Sequence, residues 1–381
     1  MSLAADGRGT DLLDDATRLE AADPAAMLRA VASGAAQVRE AAQLSADAGV
    51  AGLAEEGRPR SVVVCGMGGS GIAGDVLAAV AGAGCPVPVV SHRGFGLPAW
   101  VGAADLVVAV SCSGGTEETL SALEEAVRRG CRLLVVTAVD SPADALGRRG
   151  RAVVVPVPQG RQPRASLWAL SFPLLIAAAH LDLLPGPAGD LVEDTATALE
   201  AVADRCRVDA DVVVNPAKTL AVALAGTLPV VWGTSPLGGV VAYRFACQLN
   251  ENAKRPAVWG VLPEAGHNQV VGFEAATVRD LFHDPFEDAP VAGDTGGQHL
   301  VLLRDAEEHP RVALRVKAVE ALAHERGVGV SALLAHGASP AQRLASLVGL
   351  TDYASVYAAL LAGVDPTPVA AIAALKSRLA Q

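Results

Sequence analysis

Two segments rich in glycine and hydroxyl side chains could bind an anion through their backbone N–H groups. Residues 65–71 read Cys-Gly-Met-Gly-Gly-Ser-Gly, and residues 111–119 read Ser-Cys-Ser-Gly-Gly-Thr-Glu-Glu-Thr. Each segment follows an apolar, β-branched run and precedes an Ala/Leu-rich run, which predicts a turn from a strand into a helix. Free amides and the positive end of a helix favour a phosphate there. The two segments together therefore predict a phosphate site.

Other interpretations of these segments stay open. The first also matches G-x-G-x-x-G, the fingerprint of a dinucleotide-binding turn, which expects an acidic residue about 20 positions further on. Residues 91–94 read Ser-His-Arg-Gly instead. It could also be a tight turn without a ligand. The second could be an ordinary Ser/Thr-capped helix with acidic residues in its first turn. However, a cap needs one hydroxyl and this segment has four, which favours phosphate binding.

The two segments together resemble the sugar isomerase (SIS) domain of the bifunctional phosphoglucose/phosphomannose isomerase family. The resemblance continues through Gln-Pro-Arg at 162–164, Asn-Glu-Asn-Ala-Lys at 250–254 and Pro-Glu-x-x-His-Asn at 263–268. It spans nearly the whole chain. The Ser-x-Ser-Gly-x-Thr pattern is typical of the whole SIS superfamily, whereas the segments at 250–254 and 263–268 are specific to this branch.

The resemblance implies a role for each candidate site residue. Glu251 matches the base that moves a proton between C1 and C2, and Arg164 matches the arginine that stabilises the enediolate. His267, donated by the neighbouring subunit, and Lys376 match residues that assist ring opening. Thr367 matches the residue that widens substrate choice to mannose. The residues that match the ligands of the sugar phosphate are Gly69, Ser70, Ser111, Ser113 and Thr116.

The implied activity is the interconversion of glucose 6-phosphate and/or mannose 6-phosphate with fructose 6-phosphate through a cis-enediol. This reaction needs a carboxylate near the carbon and a cation near the developing oxyanion. It needs neither a metal nor another cofactor. Glu251 is predicted at a helix C-terminus, where the helix dipole disfavours a carboxylate, so helix stability does not explain its presence. The expected partners are a phosphorylated hexose and a second copy of the chain, in a homodimer with composite active sites.

Two alternatives to this function remain. One is another SIS isomerase that acts on a different phosphosugar, and the other is a sugar-phosphate-binding sensor or regulator with little catalysis. The presence of Glu251 together with Arg164 and His267 disfavours a passive binder. Cys112 and Gly115 depart from the family, where an aromatic and a polar residue are expected, and residues 284–297 are predicted to be an enlarged loop after His267.

The composition limits the partners and the compartment. The chain has 381 residues and a net charge of −11 without a basic cluster, which argues against nucleic acid and anionic membranes as partners. Six cysteines without C-x-x-C spacing indicate reduced thiols in a cytoplasmic protein. The start of the chain lacks the pattern of a signal peptide, and interrupted apolar runs predict no transmembrane helix.

Short β-branched runs alternate with Ala/Leu-rich helical stretches, which predicts an α/β fold with mostly parallel sheets flanked by helices. The alternation restarts after a Pro/Gly-rich linker at 184–189, so we expect two tandem SIS-type domains, each a flavodoxin-like three-layer sandwich. The predicted domains are an N-terminal helical segment at 1–57, which packs on the SIS domains, a first SIS domain at 58–186, and a second at 190–381 with C-terminal helices. The predicted strands are 61–65, 87–91, 106–111, 132–137, 152–157, 229–233, 257–260, 299–304 and 329–334.

Overall fold

The protein is described by a computed structural model that covers residues 8–184, 188–274 and 297–379. Contacts group these residues into two compact units. A five-stranded unit comprises the described residues of Ala30–Ala201 and Gly337–Ala345. A four-stranded unit comprises the described residues of Met1–Arg29, Val202–His336 and Ser346–Gln381.

Helices are the main elements outside the sheets. In chain order they are α1 (Arg8–Leu13), α2 (Ala16–Ala22), α3 (Met27–Ala32), α4 (Gly34–Asp47), α5 (Gly68–Ala81), α6 (Glu117–Arg128), α7 (Pro142–Arg149), α8 (Leu167–His180), α9 (Ala188–Arg205), α10 (Pro216–Leu224), α11 (Pro236–Glu251), α12 (Pro310–Glu325), α13 (Pro340–Leu361) and α14 (Ala370–Leu379). Short 3₁₀ turns lie at Val50–Glu56, Pro163–Ala165, Glu264–His267 and Gln269–Phe273.

The five-stranded unit contains one parallel sheet in the order β2-β1-β3-β4-β5. Its Val-rich strands β1 and β3 are buried along their whole length, because helices cover both faces. This order is the flavodoxin-like one, in which ligands bind at the carboxyl ends of the strands where the winding reverses. Here the winding reverses between β1 and β3. The strands are β1 (Val62–Cys65), β2 (Val89–His92), β3 (Leu106–Ser111), β4 (Arg132–Ala138) and β5 (Val153–Val157).

The four-stranded unit repeats this winding. Its sheet is parallel, and its order β7-β6-β8-β9 places the first strand of the unit beside the second and the third, as in the other sheet. Helix α11 packs on β6 and β7. Two parallel sheets with flanking helices confirm the predicted fold class. The strands are β6 (Leu228–Gly233), β7 (Val258–Val261), β8 (Gln298–Arg304) and β9 (Gly329–Leu334).

Contacts divide the chain at different points from the predicted domain boundaries at 57 and at 186–190. The N-terminal helices are shared between the units: Asp14 accepts a bond from the Val212 N–H at 2.7 Å in one, and α4 packs on α8 in the other. Half of the predicted linker, residues 185–187, lies outside the described residues, and so does the predicted loop at 284–297 except for Gly297.

Helices α7 and α10 were not predicted from the sequence. Each begins after a capping residue followed by proline: the Ser141 hydroxyl accepts the N–H of Asp144, and the Asn215 side chain accepts those of Ala217 and Lys218. These start signals were present in the sequence, but the helices are too short for a clear apolar period. Helix α13 is long and apolar enough to cross a membrane, yet 89% of its most apolar window is buried within the protein. That burial is typical of a core helix.

Candidate active site

The first glycine-rich turn connects β1 to α5. Helix α5 begins at Gly68, whose φ of +53° is in the left-handed region that glycine adopts readily. A Cβ on Gly66 would lie 2.9 Å from the Val110 carbonyl oxygen, so only glycine lets this turn pack so closely on β3. The turn therefore lies against the strand that leads into the second segment.

The second turn connects β3 to α6. Thr116 is the N-cap residue of α6, but its hydroxyl pairs with that of Ser111 at 3.1 Å and makes no capping bond. The Gly114 N–H donates to the Ser111 hydroxyl at 3.0 Å, and Gly114 has a φ of +70°. Ordinary capping thus does not account for the hydroxyls of this segment.

A direct bond joins the two turns. The Cys112 N–H donates to the Ser70 hydroxyl at 3.3 Å, across the neighbouring parallel strands β1 and β3. Ser113 is exposed beside them, and its hydroxyl accepts the Gly115 N–H at 3.4 Å. The structure therefore gathers the predicted phosphate ligands Gly69, Ser70, Ser111, Ser113 and Thr116 at the carboxyl ends of two adjacent strands, and we call this predicted site the phosphate cradle.

Arg164 lies next to the cradle on the 3₁₀ turn Pro163–Ala165, and only 7% of it is exposed. A Cβ built on Gly69 would lie 3.8 Å from the Pro163 carbonyl oxygen. The buried side chain of Gln37 donates to the Ala165 carbonyl at 2.8 Å and accepts the Ala169 N–H at 3.3 Å. Gln37, which the sequence did not single out, thus fixes the turn that carries Arg164.

Two further arginines lie close to the cradle turns. The Arg93 guanidinium donates to the Gly71 carbonyl at 3.2 Å and pairs with Asp75 in the second turn of α5. Arg93 directly follows β2, close to where a dinucleotide site would have its acidic residue. This arginine disfavours the dinucleotide alternative and adds positive charge near the predicted phosphate.

Arg161 provides the second charge. Burial raises the pKa of the Cys112 thiol, and the positive charge of Arg161 opposes that rise. Arg161 also pairs with Glu40. Although the whole chain has a net charge of −11, it places the cations Arg93 and Arg161 next to the cradle turns.

Glu251 is the last residue of α11 and is half-buried, whereas the sequence predicted this helix to end at residue 250. A stripe of polar side chains at four-residue spacing supports this end of the helix from within the unit. Arg244 makes two bonds with Asp352 of α13, at 2.9 and 2.6 Å, and Gln248 donates to the same carboxylate at 3.2 Å. Asn252 donates to the Ser355 hydroxyl at 2.8 Å.

We call these side chains and their α13 partners the polar stripe. All five are buried: Arg244, Gln248, Asn252, Asp352 and Ser355. Arg244, Gln248 and Asn252 recur every four positions along the chain, and this helical spacing was a sequence signal that could have identified them. Burial raises the pKa of the Asp352 carboxyl, while the adjacent guanidinium of Arg244 opposes the rise. Because buried polar groups of this kind specify one arrangement, the stripe fixes where α11 ends.

The remaining predicted residues also belong to the four-stranded unit. His267 ends the 3₁₀ turn Glu264–His267 and is exposed, and Lys376 is exposed on α14. Gln269 anchors the segment after His267 by accepting the Trp232 indole N–H at 2.7 Å. Thr367 is half-buried, and its N–H donates to the Asp365 carboxylate at 2.8 Å.

No metal-binding group was predicted. Within residues 8–184, 188–274 and 297–379, no three His, Cys, Asp or Glu side chains are grouped as a metal ion would require.

Comparison with known proteins gives a consistent result. Residues 213–379 match the bacterial phospho-glucose isomerase C-terminal SIS domain. The bifunctional phosphoglucose/phosphomannose isomerase of Caldicellulosiruptor bescii is 35% identical over 84% of this chain and 89% of its own length. That of Aquifex aeolicus is 33% identical over 84% of this chain and 90% of its own.

Among solved structures, a hypothetical protein from Thermus thermophilus is similar in fold. It has a TM-score of 0.67 and 19% identity, and the match covers 99% of this chain and 97% of that one. Sequence identity of this extent over most of both chains in the curated relatives, together with the fold, assigns the family. The chain belongs to the bifunctional phosphoglucose/phosphomannose isomerase family.

Proposed function

We propose that the protein is an aldose–ketose isomerase that interconverts glucose 6-phosphate and mannose 6-phosphate with fructose 6-phosphate through a cis-enediol. The observation that carries this proposal is the phosphate cradle, in which two glycine- and hydroxyl-rich turns are joined by the bond from the Cys112 N–H to Ser70. A helix N-terminus with free amides binds phosphate without a cofactor. Family membership supports the choice of the two hexose phosphates.

In this mechanism the cradle holds the phosphate, and His267 and Lys376 assist opening of the sugar ring. Glu251 removes the proton from C2 of the open aldose, the electron pair of the broken C–H bond forms the enediolate, and the proton returns to C1. Arg164 stabilises the negative oxygen of that intermediate. Thr367 is the residue that admits the mannose epimer.

A sensor with little catalysis and an isomerase for another phosphosugar are the alternatives to this function. The departure at Gly115 favours neither, because the position of a Cβ on this exposed glycine meets no atom of the described residues within 4 Å. A polar residue in its place would point into open space. The buried polar stripe behind Glu251 supports a catalytic use of that carboxylate, since a passive binder has no need to fix it.

We expect the purified protein to convert glucose 6-phosphate and mannose 6-phosphate to fructose 6-phosphate, and exhaustive EDTA treatment to leave the rate unchanged. The proposed steps use only side chains of the protein, so a chelator removes nothing that they require. A coupled assay of fructose 6-phosphate formation measures both rates, with glucosamine 6-phosphate as a third substrate. Activity lost to EDTA and restored by a divalent ion would refute the mechanism, and no turnover of either hexose phosphate would favour the sensor.

We further propose that the protein works in the cytoplasm as a twofold homodimer in which His267 acts in the partner's site. Glu251→Gln and His267→Ala homodimers should then both be nearly inactive. In a mixed dimer one site collects both substitutions and the other none, and about half of randomly mixed dimers are hybrid. Roughly a quarter of full activity should therefore return on subunit exchange. Complete exchange, verified by mass-tagged subunits, without recovered activity would show that His267 acts within its own chain.

A further inference from the structure

Lys254 occupies an unusual backbone conformation just after helix α11. Its φ of +55° lies in the left-handed region, which non-glycine residues rarely adopt. Its ammonium reaches back over the helix end and donates to the carbonyls of Glu251 at 2.6 Å and Asn252 at 3.3 Å. A positive charge at this point offsets the negative end of the helix dipole.

The same ammonium makes a third bond to a distant part of the chain. It donates to the Pro366 carbonyl at 3.3 Å, 112 residues further along. Pro366 directly precedes Thr367, whose N–H donates to the Asp365 carboxylate at 2.8 Å. Lys254 thus connects the backbone of Glu251 to the turn that carries Thr367.

We propose that Lys254 is a positioning residue that sets the distance between the carboxylate of Glu251 and the Thr367 turn. This inference rests on the proposed function, in which Glu251 is the base and Thr367 admits the mannose epimer. Glucose and mannose 6-phosphate differ at C2, the carbon from which Glu251 takes its proton. A shift of either residue therefore alters both the rate and the choice between the two sugars.

The compact lysine ammonium suits this role. It has three N–H donors that point in different directions, so one ammonium can bond to all three carbonyls. A guanidinium is planar and larger, so arginine keeps the charge but cannot place its donors in the same way. A lysine that served only to neutralise the helix end would be replaceable by arginine, and the left-handed backbone at Lys254 would be unnecessary.

The test compares Lys254→Met and Lys254→Arg with Lys317→Met, a control at an exposed lysine of α12. We expect Lys254→Met to bind fructose 6-phosphate normally, because the cradle is intact, but to lose roughly 10- to 100-fold in kcat, as misplacement of a catalytic group by about 1 Å does. The ratio of kcat/KM for the two sugars should change as well. Lys254→Arg should recover part of kcat without restoring the ratio, and Lys317→Met should match the wild type.

Distinct outcomes separate the two proposals. If the wild type isomerises neither sugar, the proposed function fails. If the wild type is active and Lys254→Met keeps its kcat and substrate ratio, only the positioning role is overturned. Weakened fructose 6-phosphate binding in proportion to the loss in kcat would also overturn it, because that result indicates a general structural role. Should Lys254→Met not fold, Lys254→Arg decides: an unchanged kcat and ratio in this variant reject the proposal.

Discussion

Replacing Glu251 with glutamine should lower kcat for both hexose phosphates at least about 100-fold, the usual scale for the loss of a general base. The amide has the shape of the carboxylate but cannot take up the proton from C2. Binding of fructose 6-phosphate should persist, because the cradle residues are unchanged. The fold should persist too, since buried Arg244, Gln248 and Asn252 tie the end of α11 to α13 through bonds that do not use the Glu251 carboxylate.

Glu325→Gln is a matched control for this experiment. Glu325 is also the last residue of a helix, α12, and it is exposed to solvent. Both substitutions remove a negative charge from a helix C-terminus, where the dipole disfavours it, so any small gain in stability should be shared. Steady-state kinetics and binding titrations of both variants measure the effect. Near-normal turnover by Glu251→Gln would assign the proton transfer to another group.

Breaking the buried ion pair behind Glu251 should have the largest effect on stability. Removing one partner of a buried pair leaves the other charge without compensation and costs about 3–5 kcal/mol. Arg244→Met does this to Asp352, whose other neighbour Gln248 carries no charge. We expect the thermal midpoint to fall by roughly 10 °C at neutral pH. The midpoint followed by circular dichroism measures the loss.

The same variant should be less impaired at acidic pH. Burial already raises the pKa of Asp352 against the attraction of Arg244, and loss of the guanidinium would raise it further. A carboxyl whose pKa is higher in the folded than in the unfolded protein loses stability as the pH rises above the unfolded value of about 3.9. The deficit of Arg244→Met should therefore grow between about pH 4 and neutrality.

The double variant Arg244→Met/Asp352→Leu provides the control. Replacing both members of a buried pair with apolar residues is often neutral or stabilising, so most of the lost stability should return and its pH dependence should disappear. Activity should stay low if the pair positions the end of α11. A double variant as unstable as Arg244→Met, or an Arg244→Met deficit that does not depend on pH, would contradict this account of the stripe.

The sequence by itself determined the parts of this protein that depend on neighbouring residues. Short apolar runs predicted strands such as β3 and β9 at the observed bounds, and glycines after β1 predicted the turn at Gly66–Gly68. The helix before Glu251 was predicted to end within one residue of its observed end. Such features follow from backbone dihedrals and side-chain periods over a few residues, which a local pattern records.

Only the tertiary structure decided which distant groups meet. The sheet order places β1 between β2 and β3, and this neighbourhood lets Cys112 bond to Ser70. One partner of Arg244, Asp352, lies 108 residues away on α13, and one partner of Lys254, Pro366, lies 112 residues away. No local period encodes such pairs, because they form when packed helices bring buried polar groups to the partners that they need. The roles of Glu251, His267, Arg164, Thr367 and Lys376 follow from the family resemblance and stay predictions for the experiments above.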